Sequence, residues 1–239
     1  MKRPSSNVLA SVLAFAITLI LANSAPAAQA DPNTGVVPPG SHAYGKTLAQ
    51  WEETYWTWLL TGEPAEGKIG EVLLLPMPSA DLVPGGTGSV TNPFINVGHL
   101  DLTIEAGTPF VLPITAWLGE VYTNGYVDTS FPDVWFGTFI GADVTLDGVP
   151  VVTDVTDDYV PATFFKEPIM YPEPTDYGSA GIVYFQGICM VCRPLAVGVH
   201  TLTNYTWTLI PPGYENIVPE TGVVWDNSWT ITVVPKGGK

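Results

Sequence analysis

Positive charge is scarce in this chain: 239 residues carry eight Lys and Arg against 23 Asp and Glu. Nucleic-acid binding needs basic side chains gathered on phosphate, so the composition argues against it. Attraction to an anionic membrane surface is disfavoured for the same reason. Cysteine is nearly absent, with Cys189 and Cys192 alone. That count argues against a disulfide-stapled scaffold and supplies only half of a four-thiolate zinc site. His42, His99 and His200 are the only histidines, and no two stand at ligand spacing. Neither Gly-x-Ser-x-Gly nor His-Glu-x-x-His occurs. A triad assembled in space from distant residues stays open. Internal repeats and low-complexity segments are also missing.

Long apolar runs are limited to one, Val8 to Ala22. It follows Lys2 and Arg3 and precedes Ala28-Gln29-Ala30, a small-x-small cleavage pattern. The run is short of the ~20 residues a membrane span needs. Residues 1–30 are therefore expected to be a signal peptide, and the protein to be secreted or periplasmic, with no membrane attachment after cleavage. Lys2 and Arg3 leave with the signal, so six basic residues face 23 acidic ones, a net charge of −17.

What the chain does have is glycine (24), proline (23) and a hydrophobic fraction of 46%. Together they predict many short elements joined by turns, with enough apolar surface for a core. Residues 31–45 read as an extended arm, and 46–239 as one domain. The helix within it spans 46–62. Thr47 and Gln50 form a capping box, and Gly62 supplies the stop. At about 100° per residue, Leu48, Trp51, Tyr55, Trp58 and Leu59 share one stripe, widened by Trp56 and Leu60. The rest is punctuated for strands. Residues 71–76 are a short buried candidate, and 78–99 read as loop. Leu100, Leu102 and Ile104 alternate with polar residues. Pro113 within 109–117 predicts an edge or a bulge. Asp147-Gly148 predicts a two-residue hairpin turn. Residues 159–165, 182–192, 199–209 and 223–234 complete about nine strands. The expected fold is mainly β, an antiparallel sandwich of immunoglobulin or jelly-roll type with one Trp-rich helix packed on it.

Several motifs keep a fixed order. Trp51-x4-Trp56-x-Trp58 comes first, then Glu71 to Leu75, Ile104-Glu105-Ala106-Gly107 through Pro113, and Thr145-Leu146-Asp147-Gly148-Val149. Pro194-Leu195 through Gly198, His200 and Thr201 comes last. In that order the chain resembles a family of secreted bacterial proteins whose activity is unknown. The resemblance implies export and a strand-rich fold, and brings no site residues. The chain departs from the group in lacking cysteines around the middle strands and in having the Cys189/Cys192 pair.

The candidate chemistry is sparse. In Cys189-x-x-Cys192, residues three apart on a strand point to opposite faces, about 10 Å apart, beyond disulfide reach. The thiols are expected to be free. Asp143, Asp154, Asp157 and Asp158 surround one hairpin, an oxygen-rich set that suits Ca²⁺, against a plain solvated acidic loop. Trp117, Tyr122, Tyr126 and Trp135 crowd an irregular stretch with Phe131 and Phe136. They are candidates to stack on a sugar face, against a satellite core beneath a loop. Glu52 falls inside the helix's apolar stripe, where a carboxylate is costly unless paired. A structural pairing with Arg193 or a backbone amide competes there with a proton-transfer role. Two function classes follow. One is an exported, non-enzymatic sandwich that recognises an extracellular glycan or protein. The other is a secreted glycan hydrolase using carboxylates such as Glu52 and Asp133.

Overall fold

The computed structural model describes residues 35–129, 135–152, 162–214 and 218–237. The helix α1 spans Leu48–Thr61. Its capping box is complete: the Gln50 amide donates to the Thr47 hydroxyl, and the Thr47 amide donates to the Gln50 side chain. Gly62 ends it in the left-handed conformation at φ 73°, a position that costs glycine little.

Eleven strands follow among the described residues: β1 (Lys68–Ile69), β2 (Val72–Leu74), β3 (Ala80–Val83), β4 (Phe94–Glu105), β5 (Phe110–Tyr122), β6 (Ile140–Leu146), β7 (Val149–Val152), β8 (Ala162–Met170), β9 (Ser179–Cys192), β10 (Gly198–Ile210) and β11 (Thr221–Val234). They form two sheets, of order β1-β2-β5-β9-β8 and β3-β4-β11-β10-β6-β7. The fold is a β-sandwich with one helix on it. Two pairings within it are parallel, β2 with β5 and β4 with β11. Both join strands distant in sequence, so no hairpin constrains their direction.

The stretch 78–99, expected as loop, holds β3 and the start of β4, which pair with each other. Its Pro and Gly mask short strands that gain their stability from sheet partners. Pro113 sits at a bulge, where the β5–β9 register shifts between Pro113 and Thr115. It is not an edge position, because β5 lies between β2 and β9. The Asp147-Gly148 turn has positive φ at both residues, 53° and 76°, as a two-residue hairpin of this kind requires. The N-terminal arm pairs with the end of β9: Val37 donates to the Val191 carbonyl, and the Arg193 amide to the Gly35 carbonyl.

The core lies between the sheets, built on Leu112, Ile188, Leu202, Trp229 and Ile231, all fully buried. α1 covers the outer side of the five-stranded sheet at β5, β8 and β9. It buries Leu48, Trp51, Glu52 and Tyr55. Leu59, expected on that stripe, is 42% exposed and lines an open pocket. β9 is covered on both sides, which explains its unbroken burial from Phe185 to Cys192.

Candidate functional site

The inner face of the six-stranded sheet changes character along its length. At one end the inward residues of β10 and β11 are Leu202, Trp229, Ile231 and Val233, all buried and apolar. Farther along, the same faces present Asn204, Thr206 and Asn227, also buried. Asn204 lies opposite Asn227, and Thr206 opposite Trp225. Asn204 reaches across the sandwich and donates from Nδ2 to the Ile114 carbonyl at 3.1 Å. That bond lands in the β5 bulge, whose displaced backbone presents the carbonyl.

A pocket of about 220 Å³ opens at this polar end. Pro113 to Ala116 of β5 form one wall, where the strand continues past its short pairing with β2. Trp56 and Leu59 of α1 form a second, and Met77 a third. Thr206, Trp225 and Asn227 make the floor and lip. Trp225 is 43% exposed although it points inward, because the pocket is open there. The Asn227 side-chain oxygen is buried without a hydrogen-bond partner, and so is the Trp56 indole nitrogen. Gly98, opposite Asn227 in β4, makes room for that amide: a Cβ there would come within 2.6 Å of its oxygen. An unpartnered buried amide oxygen costs roughly 1–3 kcal/mol, and this one lies against Gly98 with almost no accessible surface of its own.

Glu52 lies one helical turn before Trp56 and is wholly buried. Both of its carboxylate oxygens lack a hydrogen-bond partner, which corrects the expected pairing with Arg193 or a backbone amide. Burial alone pushes its pKa well above the ordinary carboxyl value, because a low-dielectric surrounding disfavours the charged form. Its neighbour is Cys189, whose own thiol is pushed up by burial and by the proximity of Glu52. Cys189 and Cys192 are both free, as the strand geometry predicts, and both are fully buried. Their thiols are poor nucleophiles there, since burial disfavours the thiolate in each.

The aromatic candidates separate. Trp135 is core, edge-on to Phe139 and Tyr214. Trp117 packs half-buried against the core. Tyr122 and Tyr126 remain near the surface with ring centroids 5.7 Å apart. There a tyrosine hub surrounds Glu120: its carboxylate accepts from Tyr122 at 3.3 Å, Tyr171 at 3.3 Å and Tyr177 at 3.1 Å. The Tyr122 hydroxyl also lies 3.3 Å from Asp128, whose carboxylate takes the Glu120 amide at 3.0 Å. Burial and these carboxylates raise the Tyr122 pKa, and burial with Glu120 raises that of Tyr171 to about 12. The hub ties β5 to the segment before β9 and leaves its hydroxyls protonated.

His200 is hydrogen-bonded at both ring nitrogens. Its Nδ1 is 2.7 Å from the Asp147 carboxylate and its Nε2 2.9 Å from the Ala196 carbonyl. The other Asp147 oxygen accepts from the Thr201 amide at 2.9 Å. One aspartate in the β6–β7 turn therefore fastens the turn that opens β10. Asp143 is exposed on the outer face of β6. Asp154, Asp157 and Asp158, with which it was grouped for Ca²⁺, lie outside the described residues, as do Asp133, Phe131 and residues 1–30. Among the described residues no three His, Cys, Asp or Glu side chains converge as a metal site, and no helix is long and apolar enough to cross a membrane.

The pocket beside α1 was not predicted. Its residues are spread from position 56 to position 227, and one signal pointed to it. The even-numbered side of β10, Leu202-Asn204-Thr206-Thr208, is as polar as the odd-numbered side, so whichever side faced inward would carry polar groups into the core. No protein-family model, curated protein or solved structure matches the chain.

Proposed function

We propose that this protein is an exported, non-enzymatic β-sandwich that recognises a small ligand in the pocket beside α1. The observation that carries the reading is the indole-walled, largely apolar pocket itself, with Trp225 exposed at its mouth. Ligand sites are concave and largely apolar, with a few placed polar groups, and this pocket has that make-up. Its lining holds no Asp, Glu, His, Lys, Arg or Cys, so it supplies no general acid, base or charged nucleophile for turnover. The competing reading, a glycan hydrolase, needs two accessible carboxyls astride a bond. Glu52, one of its two candidates, is sealed from solvent. Export is supported by the charged start, apolar run and cleavage pattern of residues 1–30.

Cyclohexanol, a neutral ring with one hydroxyl, is a suitable probe. It is expected to change the tryptophan fluorescence of the wild-type protein saturably, and Trp225→Ala is expected to remove most of that response. A response that does not saturate, or that survives Trp225→Ala undiminished, would contradict the reading.

A further inference from the structure

We infer that α1 is a pH-dependent cover: deprotonation of Glu52 lifts the helix off the five-stranded sheet while the sandwich beneath it stays folded.

The first ground is how the helix is held. α1 lies on the outer side of β5, β8 and β9, not between the sheets. It attaches by burying Leu48, Trp51, Glu52 and Tyr55. The Tyr55 hydroxyl donates to the Leu75 carbonyl, and the Thr163 hydroxyl donates to the Ala49 carbonyl. The inter-sheet residues Leu112, Ile188, Leu202, Trp229 and Ile231 all come from strands. An outer element held by a few side chains opens at less cost than the whole domain.

The second is the pair of hinges. Gly45 and Gly62 flank the helix with positive φ, 85° and 73°. A Cβ at either would meet nothing within 4 Å. The chain is anchored again beyond each of them. Upstream, the Val37 amide donates to the Val191 carbonyl; downstream, the Leu74 amide donates to the Gly67 carbonyl. Rotation at two unpacked glycines moves the helix and leaves both anchors in place.

The third is the trigger. Both Glu52 oxygens are buried without a partner, so a charge there meets water only when the helix leaves. Among the described residues, no ionisable group on the packed elements answers that charge. Cys189 of β9 faces it with a thiol whose own ionisation Glu52 opposes. The Tyr55 hydroxyl is committed to Leu75 and the Lys46 ammonium to the Thr54 hydroxyl. On β8, Lys166 and Glu167 are exposed. On β5, Glu120 and Tyr122 belong to the tyrosine hub. On β9, the Tyr184 hydroxyl donates to the Thr129 carbonyl.

The docked helix therefore holds the Glu52 proton more tightly than the lifted one, whose carboxyl returns toward its ordinary 4.5. Docking weakens as pH rises above that value, by up to about tenfold per pH unit, until the docked carboxyl ionises as well. Trp56 and Leu59 leave with α1, so the pocket loses a wall and releases what it holds. That consequence rests on the pocket as binding site; the lifting of the helix does not.

Cys189 reports the event, because it lies under α1 beside Glu52. Cys192 is the internal control, since strand alternation sends it to the other side of β9. The test is alkylation of the native protein with iodoacetamide at pH 6, 7 and 8. Each rate is divided by that of the urea-unfolded protein at the same pH, and tandem mass spectrometry separates the two positions. Normalised Cys189 labelling is expected to rise at least about tenfold from pH 6 to pH 8, and Cys192 labelling to change by less than about twofold. In Glu52→Gln, neutral at every pH, the Cys189 rise should vanish. Glu52→Met, apolar and of similar length, answers the same question if the glutamine variant does not fold. Equal rises at both thiols would mean that the whole sandwich opens, and would overturn the inference. A flat Cys189 rate in the wild type, or a rise that persists in the neutral variants, would overturn it as well.

Discussion

Glu52 is a carboxyl group fully buried on an otherwise apolar helix face, with neither oxygen partnered. Its chemistry dictates a pH dependence. Below the ordinary value of 4.5, folded and unfolded chains both hold the proton. Above it the unfolded chain releases the proton and the folded chain, with its raised pKa, keeps it. Stability therefore falls as pH rises from about 4.5 toward the folded-state pKa, by up to ~1.4 kcal/mol per pH unit. Glu52→Gln is neutral in both states. It is expected to be more stable than wild type at pH 8, and the gap should narrow toward pH 4. Urea unfolding at both pH values measures this; parallel pH profiles would place a counterion on Glu52. The helical wheel showed that Glu52 lies in the apolar stripe, because that is a property of one helix. Whether a partner reaches it depends on β9, more than a hundred residues away, and no local pattern reports that.

At the scale of elements, the pieces legible in the sequence are those whose causes are local. Thr47 with Gln50, and Gly62, bound the helix in the structure as they do in the sequence. Thr47→Ala should cost about 1 kcal/mol of unfolding free energy through the lost cap, read by thermal or denaturant melting. Asp147-Gly148 makes the predicted turn. The same aspartate holds His200 and the Thr201 amide, so two motifs far apart in the chain are one fastening. Its pH window follows from the shifts. The Asp147 hydrogen bond raises the His200 pKa, so this contribution is full below about 6.5 and is lost as pH rises through the raised value. Burial works to raise the Asp147 pKa, but the bonds from His200 and Thr201 outweigh it and lower the value. That contribution is present above the ordinary 3.8 and is lost as pH falls through the lowered one. His200→Gln should cost about 1 kcal/mol at pH 6 and remove the decline between pH 6 and 8.5. An unchanged decline in the variant would assign it to another group. The elements hidden in the sequence, β3 and the first half of β4, lie among Pro and Gly. They are strands because each has a partner, and pairing is not a local property.

For the whole molecule, about nine strands joined by turns announced a sandwich without saying which face of each was inside. Asn204, Thr206 and Asn227 prove to be inside, and that reversal of the usual pattern makes one end of the core polar and opens the pocket. The two thiols also follow the global arrangement. α1 covers Cys189 on one side of β9, and strand alternation sends Cys192 to the other. Both should resist alkylation in the native protein and yield two adducts after unfolding without reductant, with a melting temperature indifferent to reductant. Mass spectrometry counts the adducts, and their absence after unfolding would mean a disulfide. The account as a whole turns on the pocket between α1, the β5 bulge and the polar floor of the six-stranded sheet. The most direct measurement follows the indole N–H signals of ¹⁵N-labelled protein during titration with cyclohexanol. The account predicts that the Trp56 and Trp225 signals move together and saturate while the core signal of Trp229, hydrogen-bonded to the Pro76 carbonyl, stays fixed. Stationary Trp56 and Trp225 signals throughout the titration would contradict it.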